Sequence, residues 1–136
     1  MTTRREARRI AIDVLYQADI TGEEPSEVMK GWENAGRDVS GFSRELVEGV
    51  ATYGPEIDLL LAEHAQEWTV ARMAALDRTI LRVAIFELRH RPDVPPSVVI
   101  SEAVEAASEL SSDESRRFVN GILGRIARED AGTAEG

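Results

Sequence analysis

The stretch Leu76–Leu88, with the sequence LDRTILRVAIFEL, most constrains how this chain can fold. Eight of its thirteen residues are apolar, which is too many for the single stripe of a surface helix. A helix that is apolar on most of its circumference is usually buried among other helices. The polar residues, among them Asp77, Arg78 and Arg82, predict one charged edge that faces outward. We therefore expect a central core helix with the other elements packed around it.

Helical periodicity is present through most of the remaining sequence, and no strand-like alternation interrupts it. Apolar residues recur at spacings of three and four, which is typical of amphipathic helices. Together with the central stretch they predict an all-α fold of about seven helices, the others lying near residues 3–20, 26–32, 42–52, 56–66, 97–110 and 111–127.

Single residues add local expectations to this pattern. Ser97 is expected to cap the sixth helix, and Ser111 with Glu114 has the form of a capping box for the last one. Gly121 costs helix stability relative to alanine, so we expect it to permit close approach of a neighbouring helix. Trp68 is expected in the core between the two halves of the chain.

Composition excludes several classes of protein. The 136 residues contain no cysteine, so neither a disulfide nor a cysteine-based metal site can form. The sequence contains no run of eighteen apolar residues, so it predicts no membrane span. The arginine-rich start lacks the apolar segment of a secretory signal. The simplest expectation is a cytoplasmic protein.

The charge is unevenly distributed along the sequence. The net charge is −9, yet residues 1–18 carry four arginines against two acids, and residues 68–91 carry five against two. Two basic segments in an acidic chain could meet as a local anion-binding patch. Fifteen of the sixteen basic residues are arginine, whose planar fork suits phosphate better than lysine does.

The first predicted helix begins with a cluster of arginines, Arg4, Arg5, Arg8 and Arg9. Cations at a helix N-terminus oppose the helix dipole, so this position favours an anion site over a merely solvated face. The sequence has no glycine-rich phosphate loop, no zinc-ligand spacing and no nucleophile–base set. We therefore expect a binding module without catalytic residues, cofactor or metal.

Four segments together resemble the NusB family of bacterial transcription antitermination factors. They are RREARRIAIDVLYQAD, LDRTILRVAIFEL, DVPPSVVISEAVEAA and SRRFVNGILGRIA, and the resemblance covers residues 3–128. Chain termini are often poorly ordered, so residues 131–136 are expected to form a disordered tail. The resemblance implies two small helical subdomains packed at an angle around the central helix, residues 1–66 and 67–130. It also implies a non-catalytic protein that pairs with NusE, a small-subunit ribosomal protein. The pair would bind single-stranded boxA RNA of ribosomal RNA leaders within the RNA polymerase antitermination complex.

The resemblance assigns roles to particular residues. The arginine-rich start matches the family's RNA-binding motif, which Glu6 interrupts in this chain. Tyr16 and Asp77 match positions near the RNA and NusE surface. A second RNA-proximal segment is matched by Glu114, Arg116, Arg117 and Phe118.

Physical reasoning supports these roles, because single-stranded RNA is held by cations along its phosphates and by aromatic rings that stack on its bases. If the first and last helices are neighbours, both arginine clusters, Tyr16 and a partly exposed Phe118 would line one groove, with Arg78 and Arg82 at its edge. Phe118→Ala and Arg8→Ala should then weaken boxA binding without changing helicity or melting temperature.

Two other functions remain open. One is a helical adaptor that binds NusE or forms a homodimer, with little direct RNA contact, which Glu6 and the acidic total favour. The other is an RNA-guiding domain of the kind fused to some ribosomal-RNA methyltransferases, although no cofactor-binding domain accompanies it in this sequence.

Overall fold

A computed structural model of the protein describes residues 2–65 and 69–135. Within these residues the chain forms seven α-helices and one short 3-10 turn, which confirms the all-α fold. The helices are α1 (Arg4–Thr21), α2 (Pro25–Asn34), α3 (Gly41–Thr52), α4 (Gly54–His64), α5 (Ala75–His90), α6 (Pro96–Leu110) and α7 (Asp113–Glu135), with the 3-10 turn at Val70–Arg72.

Helix α5 lies at the centre of the molecule, as the sequence predicted. It packs against α1, α3, α4, α6 and α7. Its apolar residues belong to one continuous core that draws side chains from all seven helices. Ile80, Leu81 and Ile85 are at most 1% exposed, so this helix has apolar contacts on most sides.

The prediction that α5 has a charged edge facing outward is wrong. Asp77, Thr79 and Glu87 are buried, at 8%, 1% and 2% exposure. Each makes at least one hydrogen bond inside the protein: Asp77 with Ser115, Glu87 with Arg8, and Thr79 by donating its hydroxyl to the Ala75 carbonyl at 2.8 Å. The sequence pattern failed here because hydrogen-bonding partners on other helices allow polar groups to be buried.

The glycine that permits close helix packing is Gly49 and not Gly121. A Cβ atom on Gly49 would lie 2.7 Å from Cε2 of Phe86 and closer still to two other ring atoms. Helix α3 can therefore approach α5 only without a side chain at this position. Within the part of the chain that the structure describes, a Cβ on Gly121 would meet only the Arg125 side chain, at 3.6 Å, so the expectation for that residue is wrong.

Both expected caps in the second half of the chain are displaced. Helix α6 begins at Pro96, where a residue without an N–H suits the first helical position, so Ser97 lies inside the helix. The α7 cap is Ser112, whose Oγ accepts from the Ser115 N–H at 3.1 Å. Ser111 instead contacts the Ser115 hydroxyl at 2.9 Å.

His64 connects the end of α4 to α7. Its ring nitrogens lie 2.8 Å from the Leu60 carbonyl oxygen and 2.7 Å from the Glu129 carboxylate. Burial lowers the pKa of His64, but the hydrogen bonds to Leu60 and Glu129 and the nearby negative charge outweigh it, so the pKa is raised overall. Arg125 of α7 adds a hydrogen bond to the His64 carbonyl at 2.8 Å.

The division into subdomains at residues 66 and 67 stays a prediction, because that boundary, like Trp68, lies outside the described residues. Helix α7 extends to Glu135 and so includes most of the segment 131–136, for which the sequence predicted disorder. None of the helices in the described ranges is long and apolar enough to cross a membrane.

Candidate nucleic-acid interface

Two of the arginines that begin α1, Arg5 and Arg9, lie against α6 and not against α7. Arg5 donates to Glu102 at 3.2 Å and to Glu105 at 2.7 Å. One turn further along α1, Arg9 donates to Glu109 at 2.9 Å. The expected groove between the first and last helices is therefore not formed by these side chains.

The three glutamates of α6 match the arginines of α1 because of helical spacing. Residues three and four apart occupy one face of a helix, so Glu102, Glu105 and Glu109 form a row on α6. Arg5 and Arg9 form the facing row on α1. Charge-assisted hydrogen bonding to Glu102 is the main cause of a raised pKa for Arg5. The corresponding bond from Arg9 is the main cause of a lowered pKa for Glu109.

Arg8 is an interior residue. Its guanidinium makes three hydrogen bonds of 2.9–3.1 Å to the Glu87 carboxylate of α5. The two side chains are 9% and 2% exposed, so the pair is closed to solvent. Arg8 therefore joins α1 to α5 and lies away from the groove in which the sequence placed it, so we now expect Arg8→Ala to lower the melting temperature.

Arg4 occupies the solvent side of a small cluster around Phe42. Its guanidinium carbon is 4.7 Å from the centre of the Phe42 ring, and that of Arg91 is 5.1 Å away. Asp93 lies 3.7 Å from Arg4 and 3.0 Å from Arg91. Hydrogen bonding from Arg91 is the main cause that lowers the pKa of Asp93 to about 2. Arg4 remains half-exposed and is the most loosely held of the four arginines.

A second feature is a cavity of about 400 Å³ where the starts of α5 and α7 meet, which is within the usual size for a small-ligand site. Phe118 is half-buried, as predicted, and forms part of its wall. The other lining residues are Arg72, Met73, Ala74, Asp77, Ser112, Glu114 and Ser115.

Asp77 is the chemically distinctive residue of this cavity. One carboxylate oxygen accepts from the Ser115 hydroxyl at 3.1 Å. The other, Oδ1, is buried and has no hydrogen-bond partner among the described residues. Buried polar atoms are normally satisfied, so Oδ1 is an exception beside this cavity.

The other predicted residues are dispersed around these two features. Tyr16 is 38% exposed on α1. Arg116 faces the outer groove between α6 and α7, beside Asn120. Arg117 is exposed next to Phe118 and makes no ion pair within the described ranges.

The guanidinium groups of Arg78 and Arg82 make hydrogen bonds within the protein. Arg78 donates to Asp19 at 2.6 Å and to the carbonyl oxygens of Val70 and Met73. Arg82 makes two hydrogen bonds of 2.8 Å to Asp58. Both guanidinium groups are therefore occupied in holding α1, α4 and the 3-10 turn against α5.

Sequence reasoning missed Arg72, which lies in the 3-10 turn and lines the cavity with Phe118. A single arginine in a connecting segment gave no pattern that could have identified it. The row of glutamates on α6 could have been found, because its spacing complements that of Arg5 and Arg9.

Comparison with known proteins places this geometry in context. The family model described as "NusB family" matches residues 5–128. A relative from Saccharopolyspora erythraea, named transcription antitermination protein NusB, is 49% identical over 130 residues, covering 93% of this chain and 88% of the relative. A protein of the same name from Salinispora arenicola is 44% identical over 131 residues, covering 93% and 96% of the two chains.

Solved structures show the same fold. T. maritima NusB is similar with a TM-score of 0.85 and 31% identity, over 94% of this chain and 92% of that one. A structure of the antitermination factors NusB and NusE in complex with dsRNA contains a chain with a TM-score of 0.83 and 27% identity. That match covers 93% of this chain and 96% of the other.

Proposed function

The chain belongs to the NusB family, and from this premise we propose that it is a non-catalytic antitermination factor that binds boxA RNA together with NusE. The RNA would be the single-stranded boxA element of ribosomal RNA leaders, bound in the cytoplasm as part of the RNA polymerase antitermination complex. A protein of similar fold is described in complex with NusE and dsRNA, which supports NusE and RNA as the two classes of partner.

The cavity beside Phe118 is the observation that carries the proposal for RNA. Phe118 offers a ring for base stacking, which contributes about 1–3 kcal/mol per base. Asp77 lines the same cavity, so its carboxylate adds a hydrogen-bond acceptor beside that ring. Arg72 and Arg117 lie where they could contact the neighbouring phosphates. Together these groups suit an unstacked, single-stranded nucleotide.

We assign the arginines of α1 two different roles in this proposal. Arg4, Arg5 and Arg9 are half-exposed or near the surface, so they can contact phosphates that follow the stacked base. Arg8 holds α1 in position and does not reach RNA. Tyr16 and Arg116 offer further contacts at the edges of this surface.

NusE would dock beside the RNA, near the starts of α5 and α7. Glu114 is exposed there, and Asp77 lines the same cavity. Arg78 and Arg82 would act indirectly, since their guanidinium groups hold the adjoining helices in place. A partner with its own basic surface would supply phosphate contacts that this acidic chain lacks.

Labelled boxA RNA titrated with the protein, with and without NusE, tests the proposal. Phe118→Ala should weaken binding about 5–150-fold, which corresponds to the loss of one stacked base. Leu59→Ala is the matched control, because Leu59 is an exposed apolar residue on a different helix, α4. Thermal unfolding of each variant separates lost contacts from lost fold.

A duplex form of the same RNA provides a second arm. Stacking on Phe118 requires an unpaired base, so the single strand should bind more tightly. Equal binding of the two forms, or wild-type affinity in Phe118→Ala, would contradict the proposed site.

The ion pairs between α1 and α6 favour a second function, an adaptor that binds NusE or a second copy of itself with little RNA contact. In that case the arginines serve only the fold. Formation of a complex with NusE, or a dimer by light scattering, without any effect of boxA RNA would identify the adaptor.

A further inference from the structure

The glutamates on α6 occupy the cationic groups that an RNA phosphate would need. Arg5 contacts both Glu102 and Glu105, and Arg9 contacts Glu109. Each guanidinium can make strong, directional hydrogen bonds to carboxylate or to phosphate with the same N–H groups. The two kinds of anion therefore compete for these guanidinium groups.

Exposure separates these ion pairs from the one made by Arg8. The side chains of Arg5, Glu105 and Glu109 are 52%, 39% and 53% exposed, and those of Glu102 and Arg9 are 21% and 24% exposed. A carboxylate released there enters water at little cost, because exposed ion pairs are weak. Glu87, at 2% exposure, cannot be released without leaving a buried charge.

We propose that Glu102, Glu105 and Glu109 set the RNA affinity of this protein by competing with phosphates for Arg5 and Arg9. The proposal rests on the function proposed above and describes how RNA affinity at the same site is regulated. RNA binding at α1 is an exchange of one anion for another. Arg5 and Arg9 therefore contribute little to RNA affinity until the same RNA is also bound at the Phe118 cavity.

The exchange has a consequence for salt dependence. Counterions released from RNA drive binding, and the slope of affinity against salt reports how many leave. The freed glutamates attract cations in return, which reduces the net release. Removing the glutamate charges should raise the affinity and also steepen the slope.

The test compares two triple variants that change net charge by the same amount. Glu102→Gln, Glu105→Gln and Glu109→Gln together remove the competing charges while keeping the side-chain size. Glu23→Gln, Glu24→Gln and Glu63→Gln together form the control, because those glutamates are exposed and make no ion pair within the described ranges. We expect the α6 variant to bind boxA RNA about three- to tenfold more tightly than the control at low salt.

Combining the α6 variant with Arg5→Ala and Arg9→Ala shows whether the gain acts through those arginines. The gain should then disappear. Equal affinity of the two triple variants, or a gain that survives loss of both arginines, would overturn the competition and leave the proposed function intact. Absence of RNA binding in wild type and in every variant would overturn the proposed function, and the competition with it.

Discussion

Replacing Arg8 with alanine gives the most direct test of how the structure divides the arginines of α1. The change leaves the Glu87 carboxylate, 2% exposed, without the three hydrogen bonds that now neutralise it. Breaking a buried pair by removing one partner costs about 3–5 kcal/mol. For a chain of this length that corresponds to a fall in melting temperature of about 10–20 °C.

Urea unfolding followed by circular dichroism measures this loss, with Arg5→Ala as the matched control. Arg5 lies one turn earlier on the same helix but is half-exposed, so its removal should leave the midpoint unchanged. The double variant Arg8→Met with Glu87→Leu should recover much of the lost stability, because an apolar pair of similar volume removes the stranded charge.

An unchanged midpoint in Arg8→Ala would refute the reasoning, since the pair would then contribute nothing to the fold. A double variant as unstable as Arg8→Ala alone would also count against it. That result would mean that packing, and not the buried charge of Glu87, dominates the effect.

Contacts at Gly49, His64 and Arg72 lead to three further measurable outcomes. Gly49→Ala should lower the free energy of unfolding by about 1–3 kcal/mol, because the new methyl group overlaps the Phe86 ring. Gly31→Ala is the control in the same urea titration, because a Cβ there meets none of the described atoms within 4 Å. The raised pKa of His64 means that its stabilising charge is complete below about pH 6.5 and is lost as pH rises through the folded-state pKa. Melting temperatures should therefore fall more between about pH 6 and 8 in wild type than in His64→Gln. Arg72→Ala should weaken boxA binding and reduce the salt slope by about 1, and an unchanged slope would remove Arg72 from the phosphate path.

Much of the fold could be predicted because it depends on local periodicity. The central helix was expected at Leu76–Leu88 and is observed at Ala75–His90. The half-buried position of Phe118 followed from its place one step beside the apolar stripe of α7. The predicted cap positions were less accurate, because Ser111 and Ser112 offer the same hydroxyl group. Only backbone geometry selects Ser112 as the N-cap of α7.

The candidate site was harder to predict because its charges are set by residues far apart in sequence. Arg5 and Glu105 are separated by 100 residues, and Arg8 and Glu87 by 79. Four clustered arginines looked alike on one helix, yet their partners give them different exposures. No periodicity in α1 alone distinguishes Arg8 from Arg9.

The sequence by itself determined that this protein is all-helical, that its central helix is buried and that it resembles the NusB family. These properties follow from apolar spacing and local motifs, which can be read along one chain segment at a time. Only the tertiary structure decided which arginine is buried and which carboxylates meet the others, and that one Asp77 oxygen has no partner among the described residues. The physical reason is that burial and pairing of charge depend on distances between helices, and those distances exist only after the helices have packed.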